Sequence, residues 1–230
     1  MSFKEKSPLS PSIERIKWYY PAIIFTFILF LKNFHEVDKL ISLENFIIEI
    51  GLVVSVFVFC KWKELDIFSF KNKPLKTGFL SYLLLAPWTL LFFVPTYFLL
   101  KLFGFDLNQV TAPISEEIAQ LSMYSIDFLA FSMIALLLGP FFEEVAFRGI
   151  IQGYLRRYFN PIFAIAITSL GFAYLHVENQ LNTYFFLKMA LSFGFSVCCG
   201  LLMESKKSVV PCVVFHGTNN AIPLIVKLFV

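Results

Sequence analysis

The sequence predicts an all-α protein, a polytopic bundle of about seven membrane-spanning helices, or eight if the third is a broken pair, and three observations carry that prediction. Of 230 residues, 58% are hydrophobic and 30 are phenylalanine, with a mean hydropathy of +0.74, far more apolar than a soluble domain of ordinary composition. Apolar stretches near the ~20 residues needed to cross a hydrocarbon core recur from end to end. The Lys and Arg residues gather in alternate connections, as they do when those connections stay on the cytoplasmic side.

Taken in order, residues 1–17 carry Lys4, Lys6, Arg15 and Lys17 but no short apolar core ending at a small-residue cleavage site, so they read as an uncleaved cytoplasmic tail. Residues 18–230 then form one integral membrane domain. Spans are expected near 18–32, 43–60, 77–102, 125–143, 161–177, 183–203 and 208–229. Pro87 and Pro95 interrupt the third, which is either one long tilted helix or two elements. The tail, the 61–76 loop with five lysines, the 144–160 connection with Arg148, Arg156 and Arg157, and the Lys206/Lys207 turn fall on one side. The 103–124 loop on the other side has Asp106, Glu116 and Glu117 and no basic residue. This places the N-terminus in the cytoplasm and the C-terminus outside.

Composition excludes several function classes. No basic face with interleaved aromatics appears, so nucleic acid is not an expected partner. Cys60, Cys198, Cys199 and Cys212 lie within or beside apolar stretches without CxxC or zinc spacing and read as buried reduced thiols. There is no GxSG-type serine elbow, no GxGD aspartate and no HExxH zinc helix.

Ionisable side chains inside a membrane helix cost roughly 2.5–3.5 kcal/mol each at its centre, so they turn to the bundle interior and tend to carry function. Three segments hold nearly all the candidates: Glu143-Glu144-Val-Ala-Phe-Arg148 at the end of the fourth span, Phe172-Ala-Tyr-Leu-His176 in the fifth, and His216-Gly-Thr-Asn-Asn220 in the seventh. Glu144 and Arg148 stand four apart and can pair, which leaves Glu143, about 100° around the helix, as the acid suited to a general base. Gly139-Pro140 ahead of them would kink the helix and open backbone groups toward a cavity. His216 and Asn220 share a face, and Gly217 permits close approach. An imidazole and a carboxamide so placed can both donate to an oxygen acquiring negative charge. Singly, each segment reads as well as an ion-pair staple, an interfacial histidine or an interhelical polar clamp. Their joint occurrence on three spans favours a site, with water as nucleophile.

Together these segments resemble the type II CAAX protease and bacteriocin-processing family, often abbreviated CPBP, through its successive EExxxR, FxxxH and HxxxN motifs. Glu143, Glu144 and Arg148 fill the first, Phe172 and His176 the second, His216 and Asn220 the third, all within residues 135–225. The resemblance implies an intramembrane endopeptidase acting on a membrane-associated peptide or protein. Glu143 and His176 would position and activate water, and His216 and Asn220 would form the oxyanion hole. Glu144 and Arg148 would support them, and Phe172 would wall the cavity. Whether a metal takes part stays open, since Glu143, His176 and His216 also make a His₂Glu zinc set with an open position; a metal-free site is the favoured reading. The compact, loop-poor build points to a bacterial inner membrane, where prenylated CAAX substrates are absent. A catalytically silent immunity or scaffold protein of the same fold, and more remotely a transporter or proton relay, are the competing expectations.

Overall fold

Helices account for all the regular structure that the computed structural model describes, which covers residues 17, 19–21, 23–24, 43–69, 73–105, 126–177 and 182–227. The expected span at 18–32, the tail and the acidic 103–124 loop fall largely or wholly outside the described residues. The elements in order are α1 (Leu43–Trp62), α2 (Pro74–Leu85), α3 (Leu90–Leu102), α4 (Ile126–Met133), α5 (Gly139–Glu144), α6 (Gly153–Leu155), α7 (Pro161–Leu175), α8 (Thr183–Lys206) and α9 (Val210–Lys227). A 3₁₀ turn, Ala86–Thr89, joins α2 to α3, and π-helical turns, Ile134–Leu138 and Val145–Gln152, join α4 to α5 and α5 to α6.

Local chemistry sets these boundaries. Pro74 opens α2 in its first turn, and Pro87, which has no N–H to give the helix ladder, sits in the tight 3₁₀ turn where the Thr89 hydroxyl donates to the Ala86 carbonyl at 2.6 Å. The third span is therefore one continuous 29-residue rod, Pro74–Leu102, with a tightened waist. Asn160 and Asn182 cap α7 and α8, their side chains accepting the N–H groups of Phe163 (3.0 Å) and Phe185 (2.8 Å). Lys207 ends α8 in the left-handed region, φ 55°.

The fourth span corrects the sequence expectation. Instead of ending at residue 143 with a cytoplasmic 144–160 connection, the helix runs on through Leu155. Arg148 does not end it because Glu144, one turn back, neutralises it and both side chains are fully buried. Only Arg156 and Arg157 lie in the turn that follows.

Three helices among the described residues are long and apolar enough to cross a membrane: Pro74–Leu102, Phe128–Leu155 and Thr183–Lys206. Ile50–Trp62, Pro161–Leu175 and Val210–Val226 are apolar but shorter. Large apolar side chains such as Leu84, Trp88, Leu91, Leu102 and Ile162 point outward. The largest fully buried side chain, by contrast, is Arg148. An apolar exterior around a charged centre inverts the soluble pattern and suits a protein solvated by lipid.

α8 packs against α7 and α3, while α9 packs against α2 and against the Ile134–Leu138 π turn. α2 and α9 touch at Gly78, where a Cβ would lie 2.6 Å from the Pro211 carbonyl oxygen. Beneath the site, Phe147, Phe172, Phe195 and Phe215 form the aromatic part of the core.

Candidate active site

Glu143 and Glu144 leave α5 in adjacent directions and meet residues from α7 and α9. Glu144 is held from two sides. Arg148 Nε lies 3.1 Å from its Oε2 and Nη2 donates to Oε1 at 3.5 Å, while His216 Nδ1 lies 3.0 Å from the same Oε1. Arg148 is further covered by the Phe172 ring, 4.9 Å from its guanidinium carbon.

Glu143 faces the two imidazoles. Its Oε2 lies 3.4 Å from His176 Nε2 and 4.0 Å from His216 Nε2. His176 closes α7, and its Nδ1–H donates to the Phe172 carbonyl at 2.8 Å, one of the carbonyls a helix C-terminus leaves without a ladder partner. A carbonyl can only accept, so Nδ1 of His176 carries the proton. The Glu144 carboxylate demands the same of Nδ1 in His216. Both rings consequently turn Nε2 toward the Glu143 oxygen.

Exposure grades across this cluster. The side chains of Arg148 and Glu144 are 0% exposed, His216 6%, Glu143 28% and His176 32%. The acid–imidazole pair Glu143/His176 is thus the accessible layer and Glu144/Arg148 the sealed one. Phe172 does not line the accessible layer. It is buried under it, stacked on His176 with ring centroids 4.1 Å apart and edge-on to Phe147 at 5.2 Å.

Asn220 sits one turn beyond His216, and its Nδ2 donates to the Ala135 carbonyl at 2.9 Å. The π turn explains why that carbonyl needs a partner. In π register Gly139 N–H reaches back to Ile134, so the next carbonyl, that of Ala135, would be served by residue 140, which is proline and has no N–H. α9 comes close enough to do this because residue 217 is glycine; a Cβ there would collide with the Leu136 carbonyl oxygen.

Sequence reasoning missed two polar residues joined to this cluster. Asn219 donates from Nδ2 to Asn220 Oδ1 at 3.4 Å, and the Tyr82 hydroxyl of α2 donates to Asn219 Oδ1 at 3.4 Å. The doubled Asn219-Asn220 was a usable signal; Tyr82, one of nine tyrosines, offered none. A separate polar group stands at the α6 and α8 ends, where Glu204 Oε1 receives Arg156 Nε at 2.9 Å and Gln152 Nε2 at 3.2 Å. All four cysteines are free and buried. Among the described residues, no group of three or more His, Cys, Asp or Glu side chains is disposed to hold a metal ion.

Fold and site define a helical integral membrane protein built around a buried carboxylate–imidazole cluster. Residues 125–222 match the model of the Rce1-like family, type II CAAX prenyl endopeptidase Rce1-like. No curated protein and no solved structure matches the chain.

Proposed function

We propose that the chain is an intramembrane endopeptidase that hydrolyses a peptide bond of a membrane-associated peptide or protein with a water activated by Glu143. The observation carrying this reading is the meeting of Glu143 Oε2 with two Nε2 atoms, at 3.4 and 4.0 Å, while both Nδ1 protons are committed elsewhere. With neutral rings and an ionised acid, three acceptors face one another. Such an arrangement is relieved by hydrogen placed between them, and a water molecule supplies two.

In the reaction Glu143 takes a proton from that water as its oxygen bonds to the scissile carbonyl carbon, with His176 holding the water from the other side. The carbonyl π electrons move onto oxygen, and this oxyanion accepts hydrogen bonds from Asn220 Nδ2 and from His216. Because Glu144 holds Nδ1–H of His216, donation from Nε2 requires that ring to take up a proton from solvent as substrate binds, becoming an imidazolium that the neighbouring carboxylate accommodates and returning that proton to solvent after product leaves. Collapse breaks the C–N bond, and the proton on Glu143 passes to the leaving amine. Glu144, Arg148 and Phe172 hold the rings in place. We extend the reading to seven or eight spans with a cytoplasmic N-terminus, on the alternation of basic and acidic connections along the chain, and to a bacterial inner membrane, on the compact, loop-poor build.

The test is purified protein in detergent presented with membrane-tethered peptides, prenylated and unprenylated, with products read by mass spectrometry. Glu143→Gln should insert and melt like the wild type yet cleave on the order of 10²–10⁴-fold more slowly. Cleavage by Glu143→Gln at the wild-type rate would refute the mechanism.

A further inference from the structure

We infer that Tyr82 and Asn219 are positioning residues for Asn220, forming a one-directional hydrogen-bond relay that keeps the Asn220 amide turned with its N–H₂ end, not its oxygen, toward the developing oxyanion. This inference rests on the oxyanion role proposed above for Asn220.

The polarity of the relay follows from its end. The Ala135 carbonyl can only accept, so Asn220 presents Nδ2 to it at 2.9 Å. The Asn220 oxygen on the other branch can likewise only accept, so Asn219 presents its own Nδ2, at 3.4 Å. Asn219 is then left with Oδ1 toward Tyr82, whose hydroxyl must donate, also at 3.4 Å. Each contact permits one orientation of the next amide. The two longer bonds orient more than they bind.

What this secures is chemical sign. A carboxamide turned by 180° has nearly the same shape but opposite polarity. Rotated, Asn220 would set an oxygen against both the Ala135 carbonyl and the oxyanion. One N–H of Asn220 Nδ2 serves Ala135, and the relay directs the second toward the reaction. Tyr82 is well placed to be the fixed terminus, since its ring is braced edge-on against Phe215, centroids 5.2 Å apart, immediately before His216. Through it α2, which lies outside the 125–222 family match, reaches the chemistry.

Two variants test this. Tyr82→Phe keeps the ring and removes only the donor; Asn219→Leu keeps the volume and removes both relay bonds. With the tethered peptides, Tyr82→Phe should lower kcat about 2–10-fold at unchanged KM, and Asn219→Leu should fall further, toward the roughly 10²–10³-fold loss of an oxyanion donor. In an Asn220→Ala background neither should lower kcat again, because the residue they orient is gone. Independently of any substrate, Tyr82→Phe should shift the side-chain amide resonance of Asn220 in ¹⁵N-labelled protein and leave those of the capping Asn160 and Asn182 unmoved. Additive losses in the Asn220→Ala background, or an unchanged Asn220 resonance and kcat in Tyr82→Phe, overturn the relay alone. Wild-type cleavage by Asn220→Ala overturns the oxyanion reading beneath it.

Discussion

Replacing Arg148 with methionine removes a guanidinium from the interior while nearly keeping its length. The structure sets the magnitude: Arg148 and Glu144 are both 0% exposed, joined at 3.1 Å and 3.5 Å, and what remains to Glu144 after the substitution is one imidazole N–H at 3.0 Å. Leaving one member of a buried pair uncompensated costs about 3–5 kcal/mol. At about 2–4 °C of melting temperature per kcal/mol for a domain of this size, Arg148→Met should melt about 6–20 °C below wild type. The assay is thermal unfolding in detergent, followed with a thiol dye, because all four cysteines are buried and report unfolding when they become reactive. The double variant Arg148→Met/Glu144→Gln removes both charges and should recover most of the loss, since Gln Oε1 still accepts the His216 N–H. Its cleavage rate should nevertheless stay low, because a neutral amide does not support a charged His216. Arg148→Met melting within 2 °C of wild type, roughly the shift from 1 kcal/mol or less, would refute the assignment of that pair as mutual compensation.

Further outcomes follow from the same geometry. Gly217→Ala drives a methyl group into the Leu136 carbonyl oxygen and should part α9 from the π turn, so both melting temperature and kcat fall while Gly51→Ala, whose Cβ meets nothing within 4 Å, leaves kcat unchanged. Pro140→Ala gives residue 140 an N–H that competes with Asn220 for the Ala135 carbonyl; stability should hold or rise as kcat drops, measured by melting and by peptide cleavage. Treatment with a strong zinc chelator should leave the cleavage rate unaltered, and loss of activity restored by added zinc would move Glu143, His176 and His216 to the role of ligands.

How far the sequence was readable depended on whether a feature is periodic or relational. Apolar length gave six of the expected spans counterparts among the described helices, and Glu144 with Arg148 was a pair visible from i,i+4 spacing alone. The end of the fourth span was misjudged because an arginine counts as a loop residue until its partner is known to cancel it. The Ile134–Leu138 π turn was illegible for another reason: it involves Pro140 acting together with a carbonyl-seeking Asn220 from 85 residues away. Within the site, residue types pointed to the cluster, yet the hydrogen-bond commitments that decide which nitrogen faces Glu143 arise from the Phe172 carbonyl and from Glu144, and only coordinates supply those.

Those commitments also bear on the competing expectations of transport and passive scaffolding. A proton path needs titratable groups on both sides of the cluster, each able to pass on what it receives. Here the inner side ends at Arg148, which stays protonated and is sealed at 0% exposure, so a proton arriving at Glu144 has no onward acceptor through it. Toward α2 the polar line ends in the Tyr82 hydroxyl, and the charged side chains of α2 and α3 are Lys76 and Lys101, near the outer ends of that rod. Among the described residues the cluster therefore has one accessible layer, Glu143 with His176, and a sealed layer, Glu144 with Arg148. One exposed acid–imidazole pair backed by a buried one suits a reaction that uses and returns its proton at a single place, as hydrolysis does. A scaffold would need the pocket's shape without its polarity, so Glu143→Gln, which preserves shape and removes charge, separates scaffold from enzyme: a scaffold keeps its partner and phenotype, whereas the enzyme keeps its fold and loses its product.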